Sequence, residues 1–87
     1  MTIPLLPDRD GDCTANLHRA LLGLREETVA INLAQIPSLT SAALIELATF
    51  RRNHTGRIIL QHPNSLVLRT LHIVGFNKLF TIEDAAT

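Results

Sequence analysis

The 87 residues suit one small domain spanning 1–87, on a scale of roughly 100–200 residues per domain. Apolar residues make up 46% of the chain, with three Phe and no Tyr or Trp, a globular composition too poor in rings for base-stacking or sugar-stacking surfaces. Eight Lys and Arg balance eight Asp and Glu, so the basic excess of a general nucleic-acid binder is missing. The single cysteine, Cys13, excludes an internal disulfide. Neither a signal-peptide pattern nor an apolar run near the ~20 residues of a membrane helix is present, so the expected location is the cytoplasm.

In chain order, Thr2–Leu6 reads as a short extended segment stopped by Pro7, and Asp8–Asp12 as a polar turn around Gly11. Between Cys13 and Arg25 the apolar residues Leu17, Ala20, Leu21 and Leu24 recur at i, i+3, i+4 and i+7, one face of a helix, with Asp12 or Thr14 as its cap. Thr28–Leu33 is uncharged and β-branched, a strand broken at Ile36-Pro37. A helix follows from Ala42 to about Asn53, with Leu44, Leu47, Ala48 and Arg51 on one face. Arg51, Arg52 and His54 then fall in its last turn, where cations suit the dipole, and Gly56 is its stop.

Arg57–Gln61 is a second strand, uncharged after its first residue, followed by the turn His62-Pro63-Asn64. Ser65 is the expected cap of a third helix to Val74, with Val67, Leu68, Leu71 and Val74 inward and Gly75 ending it. Leu79–Ile82 is the expected edge strand. Apolar strands alternating with amphipathic helices predict an α/β domain: a mostly parallel four-stranded sheet with three to four helices packed on it.

Chemistry-bearing patterns are sparse. Asp8-Arg9-Asp10-Gly11-Asp12 resembles a calcium loop, but Cys13 and Arg19 stand where the sharp-turn glycine and bidentate glutamate are required, so no metal is expected. Cys13 lacks a Cys-x-x-Cys partner, His18, His54, His62 and His72 show no ligand spacing, and the four glycines form no phosphate loop. Neither a cofactor nor a catalytic residue is expected, and the chain reads as non-enzymatic. Arg51, Arg52, His54 and Arg57 form a basic cluster, read as a solvated helix end that could orient an acidic partner. The richest segment is Ser38-Leu39-Thr40-Ser41-Ala42-Ala43-Leu44. Its hydroxyls exceed what one cap needs, and a helix N-terminus after a parallel strand also seats a phosphate.

At this turn the sequence resembles the STAS family of anti-sigma factor antagonists. The run Val29-Ala30-Ile31-Asn32-Leu33-Ala34-Gln35-Ile36-Pro37 followed by Thr40-Ser41-Ala42-Ala43-Leu44 is similar to that family's hydrophobic strand, Val-Pro-like step and Asp-Ser-x-Gly-Leu turn. Gly56-Arg57-Ile58-Ile59-Leu60 is similar to its Gly-x-x-hydrophobic strand. Leu71 with Gly75-Phe76-Asn77-Lys78-Leu79-Phe80 is similar to its closing signature, and Gly11-Asp12 to its Gly-x-Leu-Asp entry. The resemblance covers about residues 11–82. Thr40 and Ala43 replace the usual Asp and Gly, and Asn32 stands where an acidic residue is common.

The resemblance implies a regulatory protein-binding domain acting in partner switching. Its partner would be a serine-kinase anti-sigma factor of the histidine-kinase-like ATPase type, and Ser41 the phosphorylation site, with Thr40 as a competing acceptor. An alternative within the family is the small STAS subunit of an ABC-type lipid-transport complex, docked on the ATPase. Either way the partner surface is expected at Ser38, Leu39, Thr40, Ser41 and Ala42, with Asp10 and Asp12 alongside; Leu39 is either an exposed apolar anchor or a plug of the core.

Overall fold

The computed structural model describes residues 2–9 and 11–83. The strands β1 (Thr2–Pro4), β2 (Thr28–Asn32), β3 (Arg57–Gln61) and β4 (Thr81–Glu83) alternate with the helices α1 (Thr14–Leu21), α2 (Ser41–Asn53) and α3 (Ser65–Ile73). A 3-10 turn, Phe76–Lys78, joins α3 to β4. The sheet runs β1-β2-β3-β4 and every pairing is parallel, so the mostly parallel expectation becomes an all-parallel sheet.

Crossovers between parallel neighbours are right-handed, and taken in this strand order they stack all three helices on one face. The packing agrees. In register, Ile3, Ile31, Leu60 and Ile82 form one row and Val29 and Ile58 a second, and all six belong to or pack on the core with Leu17, Leu47, Val67 and Leu71. The opposite face presents the row Thr2, Ala30, Ile59 and Thr81, outside that core cluster. Helices therefore cover only one side, unlike most all-parallel sheets.

Several expected boundaries shift, each for a local reason. The first strand is Thr2–Pro4 rather than 2–6: Leu5 still donates its N–H to Asn32 O at 3.1 Å, but β2 itself ends at Asn32 and the pairing stops with it. Helix α1 ends at Leu21, because Leu22 is extended and Gly23 adopts a left-handed φ of 72°. The third helix is capped by Asn64, not Ser65: the Asn64 Oδ1 accepts the Val67 N–H at 2.8 Å. Val74 is exposed rather than inward, because the helix closes there and Gly75, at φ 79°, turns the chain. The last strand is Thr81–Glu83, two residues beyond the expected start, because Leu79 and Phe80 close the 3-10 turn by hydrogen bonds to Phe76 O.

Arg51 is not a solvated helix-end charge. Its Nε donates to Leu79 O at 2.9 Å, and its Nη1 to His54 O and Gly56 O at 3.1 and 3.3 Å. It thereby closes α2 and ties the turn after α3 to the start of β3. Among the described residues, no helix is long and apolar enough to cross a membrane.

Candidate protein-binding site

Three loops leave the carboxyl ends of β1, β2 and β3, the edge where open α/β sheets present their sites. Side chains knit them together. The Asp12 Oδ1 accepts the Thr14 N–H at 3.1 Å, the Thr14 hydroxyl at 2.7 Å and the Thr40 hydroxyl at 3.2 Å. The Thr40 Oγ1 in turn accepts the Ala43 N–H at 3.2 Å and caps α2. Both threonine protons point to Asp12, so the 3.2 Å approach of the two hydroxyl oxygens is proximity and not a further bond. One carboxylate oxygen thus joins the start of α1 to the start of α2. It fills the capping role expected of it from one position before Cys13, whose own side chain makes no cap bond.

Charge-assisted bonds favour the ionised form of a carboxyl. The Thr14 hydroxyl bond, then the Thr14 N–H and weaker contributions including Thr40, hold Asp12 below the ordinary carboxylate value. The adjacent Cys13 thiol is pushed up, chiefly by burial and next by the Asp12 charge. It is completely buried and serves as core.

Asn64 performs the same joining on the other side. While its Oδ1 caps α3, its Nδ2 donates to Ile36 O at 3.1 Å and Pro37 O at 3.2 Å. From sequence Asn64 belongs to the turn and Ser65 to the cap; the signal for Asn64 is an Asn directly before a helix-forming run, the standard capping preference. Beside it His62 holds a left-handed φ of 56°, the one such non-glycine among the described residues. Its N–H reaches Glu83 O at 2.8 Å, which fixes the β3–α3 loop against the last strand.

Of the residues singled out at this end, Ser41 and Ala42 are exposed on the first turn of α2, Thr40 is exposed, and Ser38 and Asp12 are half-buried. The Ser41 hydroxyl makes no hydrogen bond to the described residues, unlike that of Thr40. Leu39 is half-buried and packs on the core, so of its two expected roles the plug is the one its packing supports. Asp10 lies outside the described residues. Among the described residues no three of His, Cys, Asp and Glu converge, and the Asp12 N–H is closed on Asp8 Oδ1 at 3.1 Å.

The chain matches no family model, and no curated protein matches it in sequence.

Proposed function

We propose that this protein is a non-enzymatic binding domain of the anti-sigma factor antagonist type. Its partner is a serine-kinase anti-sigma factor, which phosphorylates Ser41 to end the complex. The observation that carries the reading is the contrast between two adjacent hydroxyls. Thr40 is occupied as the α2 cap and as a donor to Asp12, whereas Ser41 stands exposed at the first helical position. A phosphate on Ser41 would meet the unpaired N–H groups and positive end of the α2 dipole, so the free domain accommodates it. In a protein interface the same group adds about −1.5 to −2 charges that must be desolvated, and the complex separates. The all-parallel sheet with helices on one side is an architecture compatible with the resemblance.

The test is incubation with the cognate kinase and ATP, followed by mass spectrometric mapping and gel filtration of the mixture. Modification at Ser41 with loss of the complex is expected, and Ser41→Asp is expected to bind more weakly than the wild type. Modification of neither Ser41 nor Thr40, or tight binding to a transporter ATPase in place of a kinase, overturns the reading.

A further inference from the structure

The zero net charge conceals a segregated distribution. Between Glu46 and Glu83 the sequence has no Asp or Glu, yet it carries Arg51, Arg52, Arg57, Arg69 and Lys78. That stretch includes all of α3 and the 3-10 turn, which together with the residues that close them, Val74 and Leu79, carry four exposed apolar side chains. Ile73 is 76% exposed, Leu66 54%, Leu79 48% and Val74 43%. Single exposed apolar residues are ordinary on a monomer; a group of them on one element and its adjoining turn marks a contact surface.

The spacing identifies the geometry. Leu66 and Ile73 are seven residues apart on α3, hence on one side of the helix and about 10.5 Å apart along it. Val67 and Leu71 of the same helix are fully buried, so Leu66 and Ile73 contribute little to the core and face outward. Arg69 lies within one turn of both, and Lys78 follows in the 3-10 turn; both are exposed.

We propose that the outer face of α3 and its adjoining 3-10 turn bind an acidic amphipathic helix from a partner protein. The partner's apolar side chains, spaced i to i+7, seat on Leu66 and Ile73 and reach Val74 and Leu79. Its flanking carboxylates meet Arg69 and Lys78. Charge complementarity selects this occupant, because no carboxylate on α3 or the turn opposes an acidic helix. Recognition of one helix by another, as in coiled-coil zippers, uses the same anchor spacing. An anionic membrane is a poorer fit: surface attraction is about 1 kcal/mol per cation and lipid-binding clusters use 4–8 of them, whereas this face offers Arg69 and Lys78. The surface is separate from Ser41, and the proposal stands or falls independently of phosphorylation.

The test uses the full 87-residue chain, isotope-labelled, with amide shifts followed by NMR. The probes are a synthetic helical peptide with Leu at i, i+3, i+4 and i+7 and Glu elsewhere, its counterpart with Lys for Glu, and vesicles of anionic phospholipid. The Glu peptide is expected to shift amides of residues 65–79 saturably and more weakly at high salt. Ile73→Ser and Arg69→Glu are each expected to weaken it roughly tenfold with an unchanged melting temperature, and Ser41→Asp to leave it unaltered. Equal binding of the Lys peptide, shifts confined to another surface, no binding of either peptide, or vesicle binding through these residues each overturns the proposal.

Discussion

At the carboxyl end of the sheet the loops are joined by side chains, Asp12 to Thr40 and Asn64 to Ile36 and Pro37. At the amino end backbone meets backbone. Arg57 donates its N–H to Glu27 O at 2.8 Å, and a Cβ added to Gly56 would lie 1.8 Å from the same oxygen. Arg51 reaches across to Gly56 O and Leu79 O. The ring of His54 stacks on Phe50 at 4.9 Å, with its Nε2 buried and without a hydrogen-bond partner among the described residues, beside a cleft of about 260 Å³ between α1 and α2. The contrast teaches a division of labour. Polar side chains hold the carboxyl end in shape while leaving Ser41 and Ala42 free, whereas close approach at the amino end leaves no latitude for substitution.

Gly56→Ala is the sharpest way to break that contrast. The new methyl must displace backbone rather than a side-chain tip, so we expect a loss of about 3 kcal/mol or more by denaturant titration. Ser41→Ala at the other end is expected within about 0.5 kcal/mol of wild type; equal effects would dissolve the distinction. Arg51→Met keeps much of the apolar stem but removes bonds to three carbonyls, and a loss of about 2–3 kcal/mol is expected. Asn64→Ala removes both the α3 cap and the bonds to Ile36 and Pro37, for about 1–2 kcal/mol. Asn64→Asp keeps the acceptor and loses the donors, so its melting temperature should fall between the two.

Among the substitutions that remove a structural contact, Asp12→Ala has the smallest expected effect, and pH sharpens it. The folded carboxyl titrates below its ordinary 3.8, so its contribution is fully present above that value. It is lost as the pH falls through the lower folded-state value. Melting curves of wild type and Asp12→Ala should therefore differ at pH 7 and converge in acid. A gap that widens on acidification would mean that the ionised form is not the one favoured in the fold.

The β-branched runs 28–33 and 57–61, free of charge except for Arg57 at the start of the second, and the 3.6-residue periodicity of their flanks determined by themselves that this chain is an α/β sheet domain. They also located the hydroxyl turn before α2. That information is local: it resides in alternation and in side-chain shape along a few consecutive residues. Boundaries were legible to within a few residues, failing where one backbone angle decides, as at Gly23 in ending α1. Three things needed the tertiary structure. Asp12 and Thr40 are 28 positions apart, and no spacing rule predicts that one carboxylate oxygen would hold both helix starts. Arg51 reads from sequence as a helix-end cation and becomes a clamp only because Leu79 is folded back beside it. Leu39 reads from sequence equally as an exposed anchor or a plug, and its half-buried packing on the core is decided by what the rest of the chain places over it. Pattern fixes which elements form; the distances between them, and so which hydroxyl is occupied and which is free, are set only when the helices pack on the sheet.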